Sequence, residues 1–438
     1  MTTGPLSDRE RSYTLLLLVL VFTSSHVDRQ IVAILAQPIK EAFALSDLQL
    51  GLLTGFAFAL FYATLGMPMA IWADRGNRRN LIALAIALWS GMTVLCGLAQ
   101  SYWQLLAARI GVGVGEAGSN PPSHSIIADL YPPEKRGTAM AIFAVGVNLG
   151  IMLGYLIGGW GNEWLDWRWA FVLAGAPGLL IALLVRLTIR EPPRVVEQPV
   201  APADADAARA KGGGTVSFWS VAATLWRSGI LRHTVIAGTV VSFAGYATIA
   251  WIPTYFVRVH GQSTGEAGTV LALYLGIGGG IGTFLGGWVA DRVAPFGEGW
   301  RAWVVTLSLL AYTPLAVLCY TAESARVASL AFLGPAVLGG VYIGVGFAII
   351  QSQVSARMRA QAAAINLFIL NIVGLGLGPT TVGAISDWMQ PTRGTDSLRY
   401  GLLAMVAAIV WGAAHYFRAG QLLQRQTREM EVSATRVV

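Results

Sequence analysis

The chain has 438 residues, 55% of them apolar and only 12% charged, with 51 Gly, 15 Trp and a formal net charge of +7. A soluble domain carries roughly 25% charged residues, so this composition excludes a soluble globular protein. The apolar runs are also too long and too uniform for the alternating strands of a membrane barrel. What remains is an all-α membrane protein whose long runs satisfy their backbone within themselves.

Taken in chain order, hydropathy predicts twelve spans. The first six fall at about 13–39, 47–73, 80–99, 103–129, 137–161 and 168–189. The second six fall at about 232–258, 267–290, 300–320, 327–351, 360–386 and 397–417. No small-residue cleavage site follows the apolar core of helix 1, so it reads as a retained helix rather than a signal peptide. Residues 1–190 are expected to form an amino-terminal six-helix bundle and 232–418 a carboxy-terminal one. Residues 191–231 read as a cytoplasmic linker rich in Pro, Ala, Asp and Gly, and 419–438 as a cytoplasmic tail. Trp219 and Trp226 lie on one face of a possible interfacial helix in that linker; an early start to helix 7 fits the same residues.

Helix 1 carries the sharpest anomaly. Asp28 and Arg29 stand inside an apolar run, where each charge costs at least about 2.5–3.5 kcal/mol. Helix 4 carries Arg109 and Glu116, with Gly111, Gly113 and Gly115 between them. Seven residues are almost two turns, so Arg109 and Glu116 share a face about 10 Å apart. Counting along the helices places Asp28 and Glu116 at one level, with Arg109 further from the termini. Helix 5 has Gly146, Gly150, Gly154 and Gly158 in one stripe suited to close packing. Helix 11 has Gly374, Gly376, Gly378 and Pro379, where a helix can bend. The two cysteines, Cys96 and Cys319, fall in apolar segments with no metal or disulfide spacing.

Positive charge sets the orientation. With both termini in the cytoplasm, 22 of the 30 Lys and Arg lie on that side, 6 on the other and 2 inside helices. This follows the positive-inside rule and accounts for the basic charge without nucleic acid. The halves repeat weakly. Trp-Ala-Asp-Arg ends helix 2 at Arg75, and Trp-Val-Ala-Asp-Arg ends helix 8 at Arg292. Arg136 precedes Asn148 by twelve residues, as Arg359 precedes Asn371. Two such halves around a midplane site are a transporter architecture.

The loop Asp74-Arg75-Gly76-Asn77-Arg78-Arg79 resembles the signature of the major facilitator superfamily, with Asn77 where Gly is usual. The resemblance covers essentially the whole chain and implies the major facilitator fold. It also implies a cytoplasmic gate, here Asp74, Arg75, Arg78, Arg136 and Asp291. Asp28-Arg29 together with Arg109 to Ala117 and Ile126 to Gly137 resembles the Spinster branch. Animal members of that branch export lysophospholipids or sphingosine-1-phosphate, so a lysolipid-like substrate is implied by the resemblance alone.

The buried charges offer a mechanism. Asp28 and Glu116 are the candidate proton-coupling groups, ionised and paired with Arg29 and Arg109 in one state and protonated in another. Arg29 and Arg109 suit a phosphate or carboxylate, and Glu116 could instead hold a cationic head group. A purely structural ion-pair cluster is the plainer reading. His26 could relay protons or simply bond a neighbouring carbonyl, and His124 reads the same way. The carboxy half has no charge inside its helices but offers Tyr246, Asn366 and Asn371 as further substrate contacts. A polar wall facing an aromatic one suits an amphipathic ligand.

The sequence thus points to a monomeric inner-membrane secondary transporter, with lipid or another amphipathic small molecule, protons and the bilayer as its partners. Transport is expected to proceed by alternating access with proton coupling. A carrier of small organic anions such as sugar acids is the alternative. No nucleophile or metal-ligand spacing supports an enzyme, and no cofactor or metal is expected.

Overall fold

The computed structural model describes residues 7–194 and 217–435, and among these all regular structure is helical. Residues 195–216, most of the expected linker, lie outside the described residues. Ten stretches are long and apolar enough to cross a membrane. The last of these, Ala356–Met430, folds back as two helices, and one further span is broken by a turn. The result is twelve spans in two six-helix bundles.

The amino half contains α1 (Asp8–Ile34), α2 (Asp47–Arg75), α3 (Arg78–Leu98), α4 (Tyr102–Glu116 and Asn120–Leu130), α5 (Pro133–Trp164) and α6 (Trp167–Thr188). The carboxy half contains α7 (Gly229–His260), α8 (Thr264–Phe296), α9 (Gly299–Thr321) and α10 (Ala325–Leu338 and Tyr342–Gln353). It is completed by α11 (Arg359–Ile369, Leu370–Leu377 and Gly378–Arg393) and α12 (Ser397–Thr435). A short helix, Phe218–Arg227, precedes α7, with Trp219 and Trp226 exposed.

Local chemistry sets the ends. Ser7 with Glu10, Ser46 with Gln49 and Ser263 with Glu266 form capping boxes at the starts of α1, α2 and α8, satisfying N–H groups that the helix leaves open. Helix 1 stops at Ile34, short of the expected 39, and Ala36–Phe43 continues as a separate short helix. Pro38 lacks an N–H, and its ring clashes with the carbonyl four residues back, at Ile34. The same rule breaks α4, expected as one helix over 103–129. Pro121 and Pro122 follow the turn at Ala117–Ser119. Helix α10, expected unbroken over 327–351, breaks at Gly339, Gly340 and Val341. Helix α12 runs on to Thr435, beyond the expected 417.

Three helices that meet across the two halves carry wide π-type turns: α2 at Leu52–Phe56, α8 at Ala272–Gly278 and α11 at Leu370–Leu377. Such turns cluster at functional sites. The glycine stripe of α5 packs on α1, where a Cβ on Gly150 would stand 2.5 Å from the Thr23 carbonyl. The opposite face of α5 meets α8, from Gly159 against Thr264 to Asn148 against Gly280. Helices α2 and α11 meet in the same way, from Gly51 against Pro379 to Ala59 against Gly376. The approaches between the halves, α5 with α8 and α2 with α11, lie in the part of the helices away from the termini. On the side that carries both termini the pairs separate, and Gly66, Gly137 and Gly287 face open space. The two halves therefore close on one side and part on the other.

Candidate functional site

Asp28 and Arg29 are chain neighbours whose side chains leave α1 about 100° apart. Arg29 reaches α4, and its Nε and Nη2 lie 2.8 and 2.7 Å from Glu116 Oε2. Two rings of α2 stack on the guanidinium, with Phe58 at 4.9 Å and Tyr62 at 4.6 Å from centroid to Cζ. Such contacts contribute about 0.5–2 kcal/mol each. The Arg29 side chain is 16% exposed and that of Glu116 only 1%. Arg29 alone of the four charged residues lines the central cavity.

Asp28 faces the other way, into the amino bundle, and is fully buried. Arg109 donates from Nη1 to the Asp28 backbone carbonyl at 3.3 Å, not to its carboxylate. No hydrogen bond of ordinary geometry reaches either Asp28 oxygen, Arg109 Nε or Glu116 Oε1. Thr93 on α3 turns its hydroxyl toward Asp28, and Glu116, Arg109 and Arg29 are its charged surroundings. Two carboxylate–arginine pairs were anticipated among these four residues, without assigning which acid takes which arginine; one is formed in this conformation, Arg29 with Glu116. Arg109 and Glu116, expected as substrate contacts, do not line the central cavity or the pocket beside it; they sit behind Arg29 and Phe58. Gly113 leaves room for this, since a Cβ there would stand 2.8 Å from the Phe58 carbonyl.

The central cavity, of about 250 Å³, lies between the halves. His26, Arg29 and Gln30 of α1 and Asn148 of α5 face Tyr246, Ile249, Tyr312 and Phe332 of the carboxy half. His26 bonds the Phe22 carbonyl at 3.0 Å through Nδ1, the plainer of its two readings. His124 packs edge-on against Phe143. Tyr246 also borders a second pocket with Asn366 and Asn371. Gln30, Asn148, Phe58 and Tyr62 were not anticipated as site residues. One signal was present: Asn148 and Asn371 hold the same place in the internal repeat, and each lines a pocket.

On the closed side sits a second ionic centre that sequence reasoning missed. Asp47 at the start of α2 is fully buried. Its carboxylate takes Arg258 of α7 at 2.7 and 2.9 Å, Lys40 at 2.5 Å and Ser386 of α11 at 2.6 Å. Asp387 accepts the backbone N–H groups of Asp47 and Leu48 at 2.8 Å each. Glu163 of α5 accepts from Ser263 and from the Gly265 N–H of α8. Lys40 and Arg258 are two of the six basic residues that the charge count places on that side, and the count gives them no further role.

On the open side the expected gate is dispersed. Arg78 is buried within the amino half, bonded to Asp129, to Glu191 at 2.8 Å and to Ser125 at 2.8 Å. Arg136 donates to the Tyr131 carbonyl at 3.0 Å. Arg194 caps the end of α2 through the carbonyls of Ala73, Asp74 and Gly76. Among the described residues, no hydrogen bond or ion pair joins Asp74, Arg75, Arg78, Arg136 or Asp291 to the opposite half. The halves are apart at that level, so side chains suited to bridging them have nothing within reach.

Comparison with known proteins agrees with this architecture. The family model described as Major Facilitator Superfamily matches residues 17–380. An MFS-type efflux pump of Mycolicibacterium smegmatis is 35% identical over 416 residues, 94% of this chain and 93% of that protein. A probable galactarate/D-glucarate transporter of Bacillus subtilis is 29% identical over 64% of this chain and 65% of its own length. Among solved structures, a bacterial homolog of the human lysosomal transporter Spinster, in an inward-facing and unoccupied conformation, superposes with a TM-score of 0.81. It is 33% identical and covers 96% of this chain and 99% of that one.

Proposed function

We propose that this chain, which belongs to the Major Facilitator Superfamily, carries an amphipathic, lysolipid-like anion across the inner membrane by proton-coupled alternating access. The observation that carries this reading is Arg29. It is one accessible guanidinium, fixed by Glu116 and two aromatic rings, on the wall of a cavity whose far side holds Ile249, Leu275, Phe332 and Pro335. An anionic head group binds at Arg29 and an apolar chain runs along the facing wall. The kinship with Spinster proteins supports the same substrate class. Both termini lie in the cytoplasm, in accord with the charge bias, so the conformation described opens inward. The protein works as a monomer.

Asp28 exchanges the coupling proton. Glu116 is committed to Arg29, whereas no arginine is committed to the Asp28 carboxylate. Arg109 fixes the backbone of α1 beneath it and acts as a positioning residue. Asp47, held jointly by Lys40 and Arg258, closes the outer side, and Asp74, Arg75, Arg78, Arg136 and Asp291 serve the inner side when the halves meet there. Opening one side while closing the other is alternating access.

A sugar-acid carrier is the second reading. It is favoured by the uncharged amide side chains of Asn366 and Asn371 and by the sugar-acid transporter among the relatives. Transport of lysophosphatidylglycerol and of gluconate by the protein in proteoliposomes, with and without a pH gradient, separates the two. Uptake or release of the lipid that Arg29→Gln abolishes supports the first reading. Movement of gluconate alone replaces it with the second.

A further inference from the structure

A second pocket, of about 120 Å³, lies inside the carboxy half and adjoins the Arg29 cavity, with Tyr246 and Tyr342 lining both. No charged residue lines it. It nevertheless holds hydrogen-bonding side chains with no side-chain partner, among them Tyr416, Asn366 and Asn371. The Tyr416 hydroxyl is buried without a partner. Asn366 is 4% exposed, and among the described residues neither its amide nor that of Asn371 makes a side-chain hydrogen bond. Thr234 on the same wall is different, since its hydroxyl bonds the Ile230 carbonyl of its own helix at 2.8 Å. Gly346 keeps the space open, because a Cβ there would stand 2.9 Å from the Tyr416 hydroxyl.

Native interiors pair nearly all of their buried polar groups. The Tyr416 hydroxyl is such an unpaired group, and with the amides of Asn366 and Asn371 on the same void it marks a place completed by something that hydrogen-bonds. The space is large enough for several waters or a small polar fragment. An alkyl chain would leave these groups unpaired. A second ion would find no counter-charge, and burying it unpaired is costly.

We infer that this pocket is a neutral polar subsite, which takes an uncharged, hydroxyl-bearing part of the transported anion while Arg29 holds its charge. The inference rests on the anion-carrier reading above. Amide and phenol groups both donate and accept, so they match adjacent hydroxyls, which do the same. Two sources share that chemistry: the glycerol hydroxyls of a lysolipid head group and the hydroxyl chain of a sugar acid.

The test is binding to the full-length protein in lipid nanodiscs, using two matched pairs of anions. One pair is lysophosphatidylglycerol and an alkyl ethyl phosphate of equal chain length without hydroxyls. The other is gluconate and hexanoate. The hydroxylated member of at least one pair is expected to bind at least about tenfold tighter, since a site built for hydroxyls discriminates against ligands that lack them. Tyr416→Phe, Asn371→Leu and Gly346→Ala should each shrink that ratio several-fold, with the loss falling on the hydroxylated member. A ratio near one, or a ratio unchanged in variants whose melting temperature matches the parent, overturns the subsite. If the lysolipid pair binds with a ratio near one and the gluconate pair does not bind, the subsite fails and the lipid reading stands. If only the gluconate pair shows the ratio and its loss, the subsite stands and the lipid reading fails. If neither pair binds, the anion reading fails and takes the subsite with it.

Discussion

Arg29 and Glu116 meet at 2.7 Å across α1 and α4, while Asp28, one residue from Arg29, has no arginine on its carboxylate. Neighbours in the chain therefore enter different environments: one is half of an ion pair on the cavity wall, the other a buried acid behind it. A helix turn of about 100° per residue produces the separation.

Removing Glu116 should leave Arg29 partly buried and uncompensated. Breaking a buried pair on one side costs about 3–5 kcal/mol. Glu116→Ala is expected to lower the melting temperature in detergent clearly, and Arg29→Ala/Glu116→Ala together should lower it less than Glu116→Ala alone. Additive losses in that double-mutant cycle would show that the pair contributes no coupling.

Asp28→Asn keeps the shape and removes the charge. Accumulation against a gradient driven by pH should fall by about tenfold or more, the factor that about 1.4 kcal/mol of lost coupling gives. Exchange of substrate between equal concentrations should persist, and its rate should become flat with pH. Undiminished uphill transport in the variant would remove Asp28 from the coupling step.

The Asp47–Arg258 contact ties the two halves on the closed side. Arg258→Ala should shift the population toward the state open on that side. A change of about 1.4 kcal/mol in the balance is tenfold in the ratio of states. Spin labels at exposed positions on α7 and on the turn before α2 would report the shift as a longer distance. An unchanged distance distribution would mean that the glycine contacts of α2 with α11 and of α5 with α8 hold that side without the ion pair.

Gly150→Leu should disrupt the seam between α1 and α5. Even a Cβ would stand 2.5 Å from the Thr23 carbonyl, and backbone cannot yield as a side chain can. Overpacking of this kind costs about 1–3 kcal/mol. Both stability and transport should fall, because the displaced segment of α1 carries Asp28 and Arg29. Gly137→Ala, facing open space, is the matched control and should leave the melting temperature unchanged.

The sequence carried much of this. Composition and run length determined an all-helical, twelve-span protein, because a chain in lipid must bond its own backbone. The cost of charge in hydrocarbon singled out Asp28, Arg29, Arg109 and Glu116 before any contact was known. The glycine stripe on α5 announced a close neighbour, though not which helix. Helix ends were less legible: Pro38, Pro121 and Pro122 were present in the sequence, yet hydropathy passes over them because proline in a long apolar run barely changes its mean.

Only the tertiary structure decided which acid takes which arginine, that Arg29 is the one of the four charged residues facing the cavity, and that Asp47 joins the halves. These outcomes depend on where helices far apart in sequence come to lie, and one-dimensional periodicity does not encode the rotation of one helix against another. Asp47 is the clearest case. In the sequence it is a polar residue at a span's edge, and it becomes an ionic centre because α7 and α11 deliver Arg258 and Ser386 to it from more than two hundred residues away.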